Sequence, residues 1–328
     1  MCYNGVAMKK LSPKALPAPD GCHPANGAPT EAPIWQHVIW RLLPGTTVGR
    51  AINAARQRLE ETGCDTPYLD AQVILAHLLG VQRTWLFAHH DYELNADEAE
   101  RFTDLITRRM RHEPVAYLVG HKEFYGLDFV VDQRVLIPRP ETELLVDAVI
   151  DHVVMREEQA LVLADVGTGS GAIALAVAAN CPAMCIYAID LSADALAVAQ
   201  QNKERLDSRN QVTLLKGDLL TPLPETVDII VANLPYISAD PYVNLMTDVR
   251  DYEPQLALEA GPQGLDAITR LLIDAPHHLK QYRLIFLEIG HDQGEAVLQL
   301  ARTLLPATAA IRLRQDYHGR DRLVMIAL

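Results

Sequence analysis

From about residue 160 to the C-terminus, short apolar runs alternate with stretches of helical periodicity. The apolar runs are rich in β-branched residues and are bounded by turn residues, as buried strands are. This alternation predicts an α/β fold with a parallel sheet covered by helices on both faces. The predicted strands span residues 160–166, 185–189, 212–215, 228–232 and 284–289. A final pair of apolar runs, 311–315 and 323–328, predicts antiparallel strands that close the sheet.

The N-terminal part of the chain follows other patterns. Its first stretch holds seven of the twenty prolines and few large apolar side chains, which predicts a flexible leader over residues 1–46. Three segments with helical periodicity follow, two of them ending at Gly63 and Gly80, and predict a helical domain over residues 47–118. Aromatic and β-branched residues then predict a β-hairpin linker over residues 119–137.

Composition excludes several classes of protein. Hydrophobic residues make up 49% of the chain and charged residues 22%, as in ordinary globular proteins. Lys and Arg number 29 against 42 Asp and Glu. The net charge of −13 argues against a protein that binds a nucleic-acid backbone. The five cysteines lack metal-ligand spacing, so we expect reduced thiols and no metal site. No apolar run reaches the ~18–20 residues of a membrane helix, so we expect a cytoplasmic protein without membrane contact.

A glycine-rich loop follows the first strand of the predicted sheet. It reads Asp165-Val166-Gly167-Thr168-Gly169-Ser170-Gly171 and opens a helix. Alternate glycines let the backbone turn tightly and approach a ligand closely. Asp190 ends the next strand, where its carboxylate can accept hydrogen bonds from both hydroxyls of a ribose. The strand, the helix and the acid around the loop together predict a nucleoside-containing ligand.

The spacing of the glycines indicates which nucleoside is bound. G-x-G-x-G differs from the dinucleotide pattern G-x-G-x-x-G, and no lysine follows as in a P-loop, so a pyrophosphate is not expected. The loop resembles the S-adenosylmethionine loop of class I methyltransferases. That resemblance implies that Asp218 contacts the adenine amino group and that Leu219 packs on the ring. It implies that the cofactor's amino-acid end lies against Gly167, Thr168, Gly169, Ser170 and Gly171.

A second motif, Asn233-Leu234-Pro235-Tyr236, follows the predicted strand 228–232. The carboxyl ends of parallel strands form the edge of the sheet where ligands bind. An amide or nucleobase NH₂ group is a poor nucleophile because its lone pair is delocalised. Asn233 Oδ1 and the Leu234 carbonyl can accept its two hydrogens and aim the nitrogen at a methyl group. Pro235 restricts the turn and Tyr236 can pack on the amide plane, so the motif predicts methyl transfer to nitrogen.

From about residue 50 onward, the chain resembles the HemK/PrmC family, the peptide chain release factor N5-glutamine methyltransferases. The family motif Asn-Pro-Pro-Tyr corresponds to Asn233–Tyr236, with Leu234 in place of the first proline. The family segment Pro-Arg-Pro-(Asp/Glu)-Thr-Glu corresponds to residues 138–143, and residues 117–126 and 316–321 also match. A family aromatic residue near Leu219 is absent here. The resemblance implies a Rossmann-like class I methyltransferase domain over residues 138–328.

The resemblance further implies an enzyme that methylates the Gln of the Gly-Gly-Gln motif in class I release factors, with S-adenosylmethionine as methyl donor. Asn233, Leu234, Pro235 and Tyr236 would then be catalytic, Asn233 would also touch the cofactor, and residues 47–118 would recognise the substrate. The partner is a release factor protein, direct nucleic-acid contact is not expected, and the enzyme is expected to be a monomer. A ribosomal-protein glutamine methyltransferase, an adenine-N6 methyltransferase of nucleic acid and a silent cofactor-binding scaffold are the alternatives.

Two charged residues have open roles in the sequence. Arg139 lies in the Pro-Arg-Pro segment and could steer a carboxylate of the cofactor or the partner. Glu288 ends the strand predicted at residues 284–289 and could face the binding site. A carboxylate at the end of a strand is more often solvated, and we expect that of Glu288.

Overall fold

Five helices open the part of the chain that the computed structural model describes, namely residues 40–154, 161–207, 209–238 and 245–328. Three of them are the helices expected from periodicity, and the two short ones were not predicted. Pro67 begins the second helix, where its missing N–H costs nothing, and Gly80 ends it with a φ of 64°. The helices are α1 (Val48–Glu61), α2 (Pro67–Leu79), α3 (Arg83–Ala88), α4 (Ala96–Arg109) and α5 (Val115–Val119).

Specific polar contacts hold these helices together. Asn95 and Glu98 form a reciprocal capping box at the start of α4. Nε of Arg109 donates to Oδ2 of Asp70 at 2.7 Å, and both side chains are buried between α2 and α4. Leu42, inside the range predicted as leader, is buried and donates its backbone N–H to Thr103 Oγ1. The leader up to residue 39 lies outside the described residues.

A hairpin connects the helices to the sheet. Its strands, β1 (His121–Phe124) and β2 (Leu127–Val130), pair antiparallel as predicted. Phe124 and Phe129 are buried from the two strands and pack edge-to-face, with their ring centroids 6.1 Å apart. A short 3₁₀ turn, Pro140–Thr142, then leads into α6 (Glu143–Val154). The Pro-Arg-Pro-Glu-Thr-Glu segment therefore forms the approach to α6.

Seven strands of the described chain form one mixed sheet, which confirms the predicted fold class. In chain order they are β3 (Val162–Val166), β4 (Cys185–Asp190), β5 (Val212–Lys216), β6 (Val227–Ala232), β7 (Leu279–Glu288), β8 (Ala310–Gln315) and β9 (Asp321–Ala327). The spatial order is β5-β4-β3-β6-β7-β9-β8. Strands β3 to β7 are parallel, whereas β9 runs antiparallel to both of its neighbours.

The order of the strands reverses next to β3. This strand pairs with β4 on one side and with β6 on the other, and Val166 is in register with both Ile189 and Ala232. Connections leave β3 and β6 in opposite directions, which opens a crevice at their carboxyl ends. Both predicted motifs begin at this crevice, because Gly167 follows β3 and Asn233 follows β6.

Helices cover both faces of the sheet. The face with α7 (Ala172–Asn180) and α8 (Ala193–Leu206) forms one buried cluster with α6 and the hairpin. The opposite face packs on α10 (Asp266–His278) and α11 (Gly294–Leu304). A short helix, α9 (Thr247–Tyr252), precedes α10. Among the described residues, no helix combines the length and apolar character that crossing a bilayer requires.

Candidate active site

A cavity of about 460 Å³ lies at the carboxyl ends of β3, β4 and β6. This volume is in the range of sites that take a small molecule or cofactor. Eight of the site residues predicted from the sequence line it: Gly167, Gly169, Asp190, Asp218, Leu219, Asn233, Leu234 and Pro235. We call this space the first cavity.

The glycine loop and the Asn233 motif approach each other closely. Gly167 has a φ of 77°, in the left-handed region that favours glycine. A Cβ atom at this position would lie 3.2 Å from Cδ2 of Leu234 and 3.7 Å from the carbonyl oxygen of Asn233. Leu234, which replaces the family proline, is buried against this glycine. The absence of a side chain at Gly167 therefore lets the two motifs form one wall of the first cavity.

Asp190 ends β4 and holds the loop in place. Its Oδ2 accepts the backbone N–H of Gly169 at 2.8 Å, and its Oδ1 accepts the N–H of Ser192 at 2.8 Å. Burial raises the pKa of the Asp190 carboxyl, whereas these backbone N–H donors lower it. Because Asp190 also lines the first cavity, its carboxylate is positioned to accept hydrogen bonds from a ligand.

The remaining loop residues lie behind the cavity wall. Thr168 is buried and donates its hydroxyl to Oδ2 of Asp165 at 2.6 Å. The carbonyl of Ser170 accepts Nδ2 of Asn202 at 2.9 Å, and Gly171 precedes α7 with a φ of 82°. None of Thr168, Ser170 and Gly171 is among the described residues that line the first cavity. Their contacts instead fix the shape of the loop.

The region predicted for adenine combines apolar and charged groups. Leu219 lines the cavity with a φ of 48°, and Leu256 lies on the wall as well. The carboxylate of Asp218 forms an ion pair with Arg270 from α10. Both side chains are about half exposed. Asp218 is therefore already paired, and a ligand amino group would have to share its carboxylate with this guanidinium.

Asn233 stands at the boundary between the first cavity and a smaller one. Its Nδ2 donates to Oγ1 of Thr142 at 3.2 Å, so Oδ1 is the end of the carboxamide directed away from Thr142. The smaller space, of about 80 Å³, is also lined by Leu136, Arg139 and Tyr236. Asn233 thus lines both the first cavity and the smaller one, while its Nδ2 is engaged by Thr142.

Tyr236 does not line the first cavity, but it lines the small one and a further cavity of about 420 Å³. Its carbonyl accepts Nε2 of Gln293 at 2.9 Å, which fixes the loop after β6. Burial raises the pKa of the Tyr236 hydroxyl to about 12, so the side chain is neutral at physiological pH. We call the further space the second cavity. Arg109 and Val115 line it from the helical part and Arg322 lines it from β9, with Arg139, Met246 and Glu253 between them.

The residues around the first cavity fit the cofactor implied by the sequence. Gly167 leaves room for a close approach, Asp190 offers carboxylate oxygens, and Leu219 and Leu256 supply apolar wall. This set matches the polar and apolar parts of an adenosine, and Asn233 marks the end nearest the small cavity. If S-adenosylmethionine binds here, Gly167, Gly169 and Asp190 would hold it.

Several residues of the site were missed in the sequence. Leu136 and Leu256 line the first cavity from segments that carry no glycine motif, and sequence alone offered no signal for them. Glu288 was expected to be solvated, and this was wrong, because the residue is only 2% exposed. Glu288 ends β7, where it is in register with Leu323 of β9. Thr142 lay inside a motif that we noted, but its contact with Asn233 joins residues 91 positions apart.

The chain is similar to known proteins. Residues 50–120 match the family model of the PrmC N-terminal domain, and residues 140–255 match that of ribosomal protein L11 methyltransferase (PrmA). The chain is 45% identical to a release factor glutamine methyltransferase of Moorella thermoacetica, over 84% of this chain and 96% of that protein. A protein of the same name from Caulobacter vibrioides is 39% identical, over 85% of this chain and 96% of its own length.

A solved protein-(glutamine-N5) methyltransferase, release factor-specific, from Alicyclobacillus acidocaldarius is 30% identical with a TM-score of 0.38, covering 61% of this chain and 98% of that one. The matches to the proteins from Moorella and Caulobacter extend over both the helical part and the sheet. With the crevice, the glycine loop and the Asn233 motif in place, we conclude that the chain belongs to the family of release factor glutamine methyltransferases.

Proposed function

We propose that this enzyme transfers a methyl group from S-adenosylmethionine to the side-chain amide nitrogen of the Gln in the Gly-Gly-Gln motif of class I release factors. The observation that carries the proposal is the position of Asn233, whose carboxamide borders both the first cavity and the small cavity. A donor molecule in the first cavity and an acceptor side chain in the small cavity would meet at this residue. The names of the similar proteins support the choice of acceptor.

The bound cofactor would supply an electrophilic methyl group on a sulfonium. The protein has to make the acceptor nitrogen available, because the nitrogen lone pair of a carboxamide is delocalised into its carbonyl. Oδ1 of Asn233 and the carbonyl of Leu234 would accept the two hydrogens of the acceptor amide and turn its nitrogen toward the first cavity. Catalysis would then come from alignment and from fixed hydrogen-bond acceptors.

The second cavity supports access for a protein segment rather than for a small molecule. It shares Arg139, Tyr236 and Val249 with the small cavity, and the small cavity shares Asn233 with the first cavity. The three spaces therefore adjoin in series from the helical part to the glycine loop. A glutamine on an extended loop would reach Asn233 through the second cavity, and the helices before the hairpin would contact the rest of the partner.

A ribosomal-protein glutamine methyltransferase is the second candidate, because residues 140–255 match the PrmA family model. That match covers only part of the sheet region, whereas the matches to release factor glutamine methyltransferases also include the helices. An adenine-N6 methyltransferase of nucleic acid is disfavoured by the net charge of −13. We therefore retain the release factor as the acceptor.

Labelled S-adenosylmethionine and a purified class I release factor test the proposal. We expect label in the release factor and none when the glutamine of its Gly-Gly-Gln motif is replaced by alanine. Ribosomal proteins assayed in parallel should stay unlabelled. Label that survives the glutamine replacement would overturn the acceptor assignment, and label only in a ribosomal protein would favour the second candidate.

A further inference from the structure

A buried chain of three side chains leads from the sheet to Asn233. Thr142 is 4% exposed, and its Oγ1 accepts Nδ2 of Asn233 at 3.2 Å. The side chain of Thr142 is also the hydrogen-bonding group that lowers the pKa of the Glu288 carboxyl. Glu288 is 2% exposed and lines none of the three cavities described above. It can therefore influence the acceptor site only through Thr142 and its other neighbours.

The carboxamide of Asn233 can lie in two orientations that differ by a half-turn. In one, Oδ1 faces the site and can accept a hydrogen from the acceptor amide. In the other, Nδ2 faces the site and presents hydrogens to the NH₂ group of the acceptor, which repels it. Because the two ends have nearly the same shape, packing cannot choose between them, and a hydrogen-bond partner must.

Glu288 can select one of the two orientations through the direction of its hydrogen bond with Thr142. An ionised carboxylate can only accept, so the hydroxyl of Thr142 directs its single hydrogen to Glu288. The lone pairs of the Thr142 oxygen are then available to the Asn233 carboxamide, and within that carboxamide only Nδ2 can donate to them. Oδ1 is left at the cavity junction. A neutral carboxyl could instead donate to Thr142, whose hydroxyl could then donate to Oδ1 and hold the carboxamide in the inverted orientation.

We propose that Thr142 and Glu288 are positioning residues that hold the Asn233 carboxamide with Oδ1 toward the acceptor amide. This inference rests on the proposed function, since it assumes that Oδ1 accepts a hydrogen from the substrate. It predicts that Glu288 acts without touching substrate or cofactor, and that its effect depends on its charge. The residues Thr142, Asn233 and Glu288 come from three separate elements, namely the turn before α6, the loop after β6 and the end of β7.

Several charged or titratable groups surround the Glu288 carboxyl. Arg322 on β9 and Arg139 before α6 are positive, whereas Glu141 beside Thr142 is negative, and Tyr236 adds a hydroxyl from the loop after β6. Burial is the largest influence and raises the pKa of Glu288 to about 7, while Thr142, Arg322 and Arg139 oppose the rise. Oε2 of Glu288 has no hydrogen-bond partner among the described residues. Its ionisation therefore falls in a range where rates can be measured.

The test compares Thr142→Val, Thr142→Ser and Glu288→Gln in the full chain, with a class I release factor as acceptor. Thr142→Val keeps the shape of the side chain and removes the hydroxyl, and we expect kcat to fall at least tenfold. Thr142→Ser restores the hydroxyl and should return kcat to within about threefold of wild type. The dissociation constant for S-adenosylmethionine, measured by calorimetry, should stay within about threefold in all three.

The pH profile separates positioning from a merely structural role. Wild-type kcat should rise as pH increases through the pKa of Glu288, because only the anion fixes the hydroxyl. Glu288→Gln should have a lower kcat and lack this limb. If Thr142→Val does not fold, the comparison of the pH profiles of wild type and Glu288→Gln is the test of the inference. Thr303→Val serves as control, because the Thr303 hydroxyl donates to the carbonyl of Gln299 within α11, and it should match wild type.

A spectroscopic measurement works even if the acceptor assignment fails. The side-chain amide resonances of Asn233, observed in the ligand-free protein with labelled asparagine, should shift in Thr142→Val and Glu288→Gln but not in Thr303→Val. A Thr142→Val enzyme with kcat within twofold of wild type and unchanged Asn233 resonances would overturn the inference while leaving the proposed function intact. A wild type that does not methylate release factor glutamine would instead refute the proposed function.

Discussion

Nη2 of Arg139 lies 2.6 Å from Oε1 of Glu253, a carboxylate whose side chain is only 1% exposed. The pair joins the turn before α6 to the segment that follows α9, and both residues line the second cavity. Burial raises the pKa of Glu253, and the charge of Arg139 opposes that rise. Oε2 of the same carboxylate has no partner among the described residues. Arg139 therefore compensates a charge that is otherwise poorly solvated, rather than steering a ligand freely.

Removing both members of this pair should cost less than the sum of removing each alone. Arg139→Met leaves a buried carboxylate without its cation, and we expect a loss of about 2 kcal/mol in the free energy of unfolding, since Arg139 is itself one third exposed. The double variant Arg139→Met/Glu253→Gln should lose less than the sum of the single variants. Urea unfolding of all four proteins measures the coupling. Strict additivity would show that the ion pair contributes nothing.

Gly167 and Gly169 provide a matched pair for the close approach of the two motifs. Both have positive φ, but a Cβ at Gly167 would lie 3.2 Å from Leu234, whereas nothing lies within 4 Å of one at Gly169. Each alanine variant should lose about 1–2 kcal/mol of stability from backbone strain. Only Gly167→Ala should displace the Asn233 motif, and we expect its kcat to fall at least tenfold below that of Gly169→Ala. Equal rates would show that the contact with Leu234 does not position Asn233.

Asn233→Ala should abolish methyl transfer, because it removes the oxygen proposed to accept a hydrogen from the acceptor amide. Cofactor affinity should change by less than tenfold, or about 1.4 kcal/mol, since Gly169 and Asp190 remain. Single-turnover assays and calorimetry measure the two quantities separately. A variant that retains wild-type rates would reject the proposed activation of the acceptor amide.

Two exposed residues test which cavity serves which molecule. Met246 is 60% exposed at the second cavity and Leu256 is 58% exposed at the first, so each can be enlarged with little effect on folding. Met246→Trp should raise KM for the release factor several-fold without weakening the binding of S-adenosylmethionine. Leu256→Trp should weaken the binding of S-adenosylmethionine without raising KM for the release factor. Steady-state kinetics and calorimetry on both variants distinguish the cavities, and identical effects would contradict their separate assignment.

Asp165 should make the free energy of unfolding fall as the pH rises toward 7. Burial raises its pKa to about 7, so between about pH 4 and pH 7 the folded protein binds a proton that the unfolded chain has released. Stability from this group is therefore present at low pH and lost as the pH rises toward 7. From pH 5 to pH 8, wild type should lose about 2 kcal/mol more than Asp165→Asn in urea unfolding. Parallel stability curves for the two proteins would contradict this.

The helices and strands followed closely from local pattern. Periodicity predicted α1, α2 and α4, and β-branched runs predicted the strands of the sheet to within a few residues, apart from an earlier start of β7. Shorter elements such as α3 and α5 were missed, because five or six residues carry too few turns for a periodic signal. Local pattern was informative wherever a residue's neighbours along the chain set its conformation.

The amino-acid sequence alone determined the α/β fold, the glycine loop and the Asn233 motif, since each depends on residue types at short spacing. Tertiary structure decided what surrounds them. It buried Glu288, paired Asp218 with Arg270, and placed Thr142 against Asn233 from 91 positions away. Contacts between distant segments depend on how helices pack on the sheet, and the free energy of that packing is a sum over many side chains. No local sequence pattern predicts which carboxylate is buried and which remains exposed to solvent.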